Sequence, residues 1–235
     1  MRILKLPKVL VFSPTYEGKE YCRKEFVDNI NKINYPNYDF LMIDNSQRGN
    51  YYYKLQSEGV PVVRVPRGAN SREALAAAQN YARKKALTEG YDYVLSVESD
   101  IFPPPDVIQR LMSHWKPVAG ALYYIGGIGN TPKHPCVFVT RKENPSATRL
   151  ITVEEHREMQ GVGGIHRVHG MGVGCTLIDV NVLKNNVFWC DNRFTNKHSD
   201  VYFYMDLWNK KIPVYVDYDT VVRHDNSDWN KVNDR

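Results

Sequence analysis

Short apolar runs alternate with helical stripes along the first 124 residues, and that alternation leaves few architectures open. Lys8-Val9-Leu10-Val11-Phe12-Ser13 is apolar without a break and stops at Pro14-Thr15, the pattern of a strand buried on both faces. Cys22, Phe26, Ile30 and Ile33 then recur at steps of four and three, which predicts a helix ending at the turn signal Asn34-Tyr35-Pro36-Asn37. Phe40 to Asp44 reads as a second buried strand and Val60 to Val65 as a third, with Pro61 placing it at an edge or a strand start. Asn70 and Glu73 resemble a capping box, after which Leu75, Ala78, Tyr81, Ala82 and Ala86 carry a helix to Glu89-Gly90. Tyr93 to Val97 is the fourth strand, Pro103-Pro104-Pro105 opens a short helix through Val107, Ile108, Leu111 and Met112, and Val118 to Tyr124 is a strand again. Strand and helix in strict alternation imply right-handed crossovers and a mostly parallel α/β sheet with helices on both faces.

Beyond residue 124 the pattern loosens. Gly126-Gly127-Ile128-Gly129-Asn130 opens a long polar stretch with short strands expected at Cys136 to Thr140 and Arg149 to Val153. Gly161-Val162-Gly163-Gly164 leads into residues 165–178, whose glycines permit close backbone contact or a left-handed turn, and a smaller mixed, partly antiparallel region is expected. Val201 to Trp208 reads as a helix, Val214 to Val216 and Val221-Val222 as strands, and Asn226 to Arg235 as a polar tail. At 235 residues the chain is expected to form one domain, with 1–124 as its regularly alternating half and 125–225 as its looser half.

Composition excludes several classes. Charged residues at 24% and hydrophobic residues at 43% are ordinary for a packed protein and exclude a disordered chain. No apolar run approaches the ~20 residues of a membrane-spanning helix, and the first eight residues are too short and too charged for a signal peptide. The net charge of +5 suits anionic small molecules without singling out nucleic acid. Cys22, Cys136, Cys175 and Cys190 have no metal-binding spacing and read as reduced thiols, so a cytoplasmic protein is expected, with peripheral membrane contact left open. Clustered tyrosines such as Tyr51-Tyr52-Tyr53 suit a wet edge of the core better than a sugar platform.

Open parallel sheets bind ligands beyond the carboxyl ends of their strands, which directs attention to Pro14-Thr15, Asp44-Asn45 and Glu98-Ser99-Asp100. If the extended conformation continues past the fourth strand, Glu98 and Asp100 project the same way. Two adjacent carboxylates repel unless a cation joins them, and hard divalent cations are readily shared with phosphates, so the tripeptide reads as a metal and diphosphate site. Arg72 stands at a helix start, where a guanidinium and backbone amides suit negative charge. Asp200, at the head of the Val201–Trp208 helix, is either a base or a first-turn acid favoured by the helix dipole by ~0.3–1 kcal/mol. His224 follows the last strand, and a lone histidine there is more often structural than a ligand.

Six blocks, Val9–Tyr16, Leu41–Ser46, Asn70–Asn80, Val94–Asp100, Gly172–Asp179 and Asp200–His224, resemble in order those of a GT-A glycosyltransferase, closest to glycosyltransferase family 2. The resemblance implies that Pro14, Thr15 and Asp44 hold the nucleotide base and that Glu98-Ser99-Asp100 is the D-x-D-type motif, with Glu98 in place of the first aspartate. It further implies that Arg72 meets the sugar diphosphate, that Asp100 and His224 bind a divalent cation, Mn2+ or Mg2+, and that Asp200 is the base of an inverting transfer. Ser199 stands where the first acid of an acidic pair is usual, and Asp206 is the other acid of the same helix. Expected partners are a nucleotide-diphospho-sugar donor, most often of UDP or GDP in that family, and an acceptor left open among a glycan, a lipid-linked glycan, a protein and a modified nucleic-acid base. Residues 126 to 170 are expected to carry acceptor choice and to close over the donor. Two other readings stand beside this one. A sugar-phosphate nucleotidyltransferase would usually carry a glycine-rich loop after the first strand, where this chain has only Gly18, and a non-catalytic nucleotide-sugar or glycan-binding module would lack the base.

Overall fold

The computed structural model describes residues 6–127, 132–141, 148–194 and 197–225. The expected tail at 226–235 and the Ile128–Asn130 part of the glycine-rich stretch lie outside the described residues. The first half runs β1 (Val9–Thr15), α1 (Arg23–Ile30), β2 (Tyr38–Asp44), α2 (Asn50–Ser57), β3 (Val62–Arg64), α3 (Ser71–Thr88), β4 (Tyr93–Val97), β5 (Ile101–Phe102), α4 (Val107–Ser113) and β6 (Val118–Leu122). Then follow β7 (Tyr124–Ile125), β8 (His134–Pro135), β9 (Val137–Thr140), β10 (Thr148–Leu150), α5 (Val153–Val162), β11 (Ile165–Val168) and β12 (Gly170–Met171). The chain continues through β13 (Cys175–Asp179), α6 (Val180–Lys184), α7 (Ser199–Asn209), β14 (Val214–Val221) and β15 (Arg223–His224).

Eight strands form the main sheet in the order β11-β14-β6-β13-β4-β1-β2-β3. β1 pairs in parallel with β2 and β4, β2 with β3, and β14 with β6, while β13 runs antiparallel between β4 and β6. β3 is the edge strand that Pro61 predicts. The chain builds outward from β1 to β3 and then returns to place β4 on the other side of β1, so the sheet's switch point lies between β1 and β4.

Period-two alternation divides the core between the sheet's two faces. Leu10, Phe12 and Val94 join α3, α6 and α7 on one side, whereas Val9, Val11, Leu95 and Val97 join α1, α2 and α4 on the other. The buried stripe of α3 is Ala74, Ala78, Ala82 and Ala86, while Tyr81 is exposed and Leu75 only partly buried. A four-residue alanine repeat is also the arrangement that lets a helix lie close to a sheet.

Several local expectations are corrected. The tyrosine triplet belongs to α2, a helix the sequence reading does not predict, with Tyr51 and Leu55 in the core and Tyr53 exposed. Arg149 to Val153 is not one strand: β10 ends at Leu150, and Thr152 caps α5 in a reciprocal box with Glu155. The two strands expected at 214–216 and 221–222 are the single strand β14, whose pairing with β6 shifts register between Asp217 and Val221. Asp217 holds that irregularity: only 2% exposed, it accepts hydrogen bonds from the Thr220 hydroxyl at 2.7 Å and the Asp219 amide at 3.0 Å, with His114 Nε2 at 3.0 Å. Asp217→Ala leaves these groups without their acceptor and is expected to cost about 2–3 kcal/mol. A urea midpoint within error of the parent protein would contradict this account.

All four cysteines are free. No helix of the described residues is long and apolar enough to cross a membrane. Residues 132–141 and 148–171 supply the three-stranded antiparallel sheet β10-β9-β12 and α5, which matches the smaller antiparallel region expected there.

Candidate active site

The carboxyl ends of β1 to β4 converge on one edge of the sheet. Thr15 and Asp44 are register partners at the ends of β1 and β2, so their side chains are neighbours. Asp44 is fully buried, and its Oδ1 accepts hydrogen bonds from the Ser46 hydroxyl at 2.5 Å and the Ser46 amide at 3.1 Å. Burial lifts its carboxyl above the usual range, against the pull of Ser46 and Arg64. Arg64, at the end of β3, brings Nε to 3.8 Å from Asp44 Oδ2, and Arg67 lies over the Tyr16 ring at 5.6 Å. Arg64 goes unnoticed in sequence because it belongs to no motif, whereas Arg67 opens the segment to Arg72 that resembles the loop and helix start approaching a sugar diphosphate.

Glu98, Ser99 and Asp100 do not continue the strand. Ile101 donates to the Glu98 carbonyl at 2.9 Å and closes a turn, so the extended geometry expected for the tripeptide is replaced by a bend directly beyond β4. The two carboxylates nevertheless stay close enough to perturb each other. Burial, reinforced by Asp100 and offset in part by Lys19 and His224, lifts Glu98 to about 7. Burial would lift Asp100 too, but His224 and Lys19 hold it down at about 2. The two carboxyls are thereby pushed apart, Glu98 toward its neutral acid and Asp100 toward its carboxylate.

β15 carries His224 to this place by pairing antiparallel with β5, His224 opposite Ile101, and the Asp225 amide donates to the Asp100 carbonyl at 2.8 Å. His224 Nδ1 lies 2.9 Å from the Tyr124 carbonyl, which can only accept, so Nδ1 carries the hydrogen and Nε2 faces Asp100 Oδ2 at 3.4 Å. Burial would lower the imidazole, yet Asp100 and the Tyr124 carbonyl raise it. A ring fixed through Nδ1–H leaves Nε2, now in an ion pair with Asp100, as the nitrogen that could reach a cation shared with that carboxylate. Among the described residues no three His, Cys, Asp or Glu side chains form a cation cage. Two protein ligands with the rest supplied by phosphate oxygens and water nevertheless fit a hard divalent cation shared with a nucleotide.

Lys19 completes the cluster. It ends a one-turn 3-10 helix (Glu17–Lys19) just beyond β1, and its ammonium forms an ion pair with Asp100 Oδ2 across the switch point. Nothing in the local sequence marks it, because its partner lies 81 residues away.

Asp200 opens α7 beside the same cluster, close enough to add to the upward shift of Glu98. Its Oδ1 accepts from the Val201 amide at 2.8 Å, and burial raises its carboxyl above the ordinary range. The helix start is anchored through Ser199, fully buried, whose hydroxyl donates to Gln79 Oε1 of α3 at 2.6 Å. Ser199 thus serves as an anchor at the position where the resemblance expects an acid. Asp206 points elsewhere and accepts from Trp189 Nε1 at 2.9 Å. Asp200 also lines a small cavity of about 40 Å³ with His169, Met171, Tyr204 and Met205.

Arg72 lies at the first turn of α3 and is buried, but its Nη1 donates to the Phe194 carbonyl at 2.8 Å, so it ties α3 to the loop that leads into α7. Asn70 caps α3 through the amides of Arg72 and Glu73, and Glu73 returns its carboxylate to the Ala69 amide at 2.7 Å. The glycines of the 170–174 segment serve close approach: a Cβ at Gly172 would stand 1.7 Å from the Tyr123 hydroxyl, and one at Gly174 would stand 2.4 Å from Ile101 Cδ1.

No protein-family profile and no curated protein matches this sequence. Solved structures do match in fold. The chain is similar to A197 from STIV, at 14% identity over 93% of this chain and 85% of that one, with a TM-score of 0.50. It is similar to residues 1–349 of S. aureus TarS, at 15% identity, 96% and 63% coverage and a TM-score of 0.57; that protein is also known in complex with UDP-GlcNAc. GalNAc-T7, solved with UDP, GalNAc and Mn2+, matches at 14% identity, 94% and 44% coverage and a TM-score of 0.63. The chain spans less than two thirds of the TarS and GalNAc-T7 structures. Its mixed eight-stranded sheet, with helices on both faces and a smaller antiparallel sheet beside it, is a GT-A fold.

Proposed function

We propose that this chain is a glycosyltransferase that moves a sugar from a nucleoside-diphospho-sugar to an acceptor hydroxyl, with inversion at the anomeric carbon. The observation that carries the reading is the meeting of three things at one sheet edge: an Asp100–His224 pair suited to a hard cation, the register-paired Thr15 and Asp44 at the ends of β1 and β2, and a half-buried carboxylate, Asp200, in the first turn of a helix. The fold neighbours solved with UDP-GlcNAc and with UDP, GalNAc and Mn2+ add support for a nucleotide-sugar donor.

In this reading the base lies against Thr15 and Asp44, with Pro14 shaping the turn that follows, and Arg64 and Arg67 bound it on the outer side. Glu98, its carboxyl raised toward the neutral acid by burial and by Asp100, suits hydrogen bonding to a ribose hydroxyl. Ser99 holds the turn: fully enclosed, its carbonyl accepts from the Cys22 thiol at 3.2 Å. Asp100 and His224 would hold the divalent cation, which when bound supplies charge neutralisation for the departing diphosphate. Arg72 acts indirectly, fixing the loop before α7. Asp200 takes the proton from the acceptor hydroxyl as that oxygen attacks, and its raised pKa makes it a better base than a solvated carboxylate. Attack assisted from the side opposite the leaving group inverts the centre. His169 and Met205, beside Asp200, mark the side from which the acceptor approaches.

Calorimetric titration with a panel of nucleoside diphosphates and nucleotide sugars, with Mn2+ and with chelator, tests the reading. One nucleotide is expected to bind in a cation-dependent way. A folded protein that binds none of the panel would sink it.

A further inference from the structure

Asp100 Oδ2 is faced from two sides. The Lys19 ammonium forms an ion pair with it, and His224 Nε2 stands 3.4 Å away. The carboxylate is 1% exposed and the Lys19 side chain 15%, so the contact is made largely out of solvent, where a charge pair is screened little. Lys19 is also held by its backbone: its amide donates to the Tyr16 carbonyl at 2.9 Å, and its carbonyl lies 3.5 Å from the Cys22 thiol. The ammonium is therefore delivered to Asp100 by a short ordered turn rather than by a wandering surface chain.

We infer that Lys19 is a tethered competitor for the divalent cation: it occupies Asp100 until a nucleoside diphosphate arrives. The inference rests on the glycosyltransferase reading for the nucleotide, but the competition itself is a property of Lys19 and Asp100. A carboxylate oxygen engaged by an ammonium is a poor ligand for a second cation, because the incoming ion must displace the lysine and meets its positive charge. A diphosphate changes both terms. Its oxygens complete the coordination that two protein side chains leave open, and its negative charge offers Lys19 a new counter-ion. Cation and nucleotide then favour each other's binding through Lys19, a coupling that is reciprocal by linkage. The site resists loading with metal alone and loads with metal and nucleotide together.

The test measures Mn2+ binding through the electron paramagnetic resonance signal of the free ion, for the full chain and for Lys19→Met, which keeps an unbranched stem and removes the charge. Titrations are run alone and with UDP or GDP present, and thermal melting confirms that both proteins are folded. Lys19→Met is expected to bind Mn2+ alone about tenfold or more tightly than the parent, the scale on which a neighbouring charge alters a carboxylate's affinity for a cation. The factor by which nucleotide tightens Mn2+ binding is expected to be smaller in Lys19→Met than in the parent. Equal or weaker Mn2+ binding by the variant alone overturns the inference. Nucleotide binding that needs no cation and disappears in Lys19→Met also overturns it, since Lys19 would then replace the cation rather than compete with it, while the nucleotide reading stands. Failure of the parent to bind either nucleotide strikes the glycosyltransferase reading instead, and the Mn2+-alone comparison still decides the competition.

Discussion

Asp100→Ala is expected to weaken cation-dependent nucleotide binding by on the order of 100-fold or more, because it removes the carboxylate that His224 and Lys19 hold in its ionised form. Asp100 faces both Lys19 and His224, so the loss is electrostatic as well as coordinative. Without it, two cationic groups confront each other in a largely closed space, and His224 loses the partner that raises its pKa against burial. The imidazole is then expected to titrate below its ordinary value, which proton NMR of the ring reads directly. Calorimetry with Mn2+ and the bound nucleotide gives the affinity, and circular dichroism checks the fold. Asp100→Asn separates shape from charge: it keeps the side-chain volume and is expected to lose the cation dependence all the same. Retention of cation-dependent binding in either variant would remove Asp100 from the site and with it the proposed role of His224.

How much of this was legible in the sequence follows from which physical signal each element leaves. β1, β2 and β4 are buried on both faces and show as unbroken apolar runs, so the sheet and its carboxyl edge could be read in order. The residues after those strands, Thr15, Asp44 and Glu98 to Asp100, were legible for the same reason. α2 and α5 were not. Tyr51 and Leu55 carry the only buried contacts of α2, and three consecutive tyrosines mask their four-residue spacing. α5 buries no residue, so it has no apolar stripe, and its start shows only in the Thr152/Glu155 box. β14 looks like two strands in sequence because Asp217 and Asp219 interrupt its apolar run at the point where the register shifts.

The candidate site divides along the same line. His224 was legible because it follows a strand, and Asp200 because it heads a helix. Lys19 was not, since an ion pair between a turn after β1 and a bend after β4 exists only once the sheet brings the two strands side by side. Arg72 illustrates the reverse case. Its place at a helix start invites a phosphate role, yet its guanidinium is bonded to Phe194, and its contribution in this structure is to hold the segment that leads to Asp200. Ser199 fits that arrangement: a hydroxyl bonded to Gln79 can be buried at the helix start at little cost, where a second carboxylate beside Asp200 would be costly.

Asp200→Asn is expected to leave nucleotide and cation binding within about twofold and to lower turnover by ~10²–10⁴, the range attributed to a positioned general base. The substitution preserves the acceptor atom that receives the Val201 amide at 2.8 Å, so α7 keeps its start and the Ser199–Gln79 anchor is untouched. What is lost is a basic oxygen beside the cavity that His169 and Met205 also line. Release of nucleoside diphosphate from the donor, with water as acceptor where no other is supplied, gives the rate. The pH profile supplies an independent check. Because burial raises the Asp200 carboxyl, its basic form is lost as pH falls through a value above the ordinary carboxylate range, and the acid limb of turnover should lie there. The limb should vanish in Asp200→Asn, whose amide does not titrate. Full turnover in the variant would remove Asp200 as the base; loss of nucleotide binding would instead make it part of the donor site, and the inverting step would need another carboxylate.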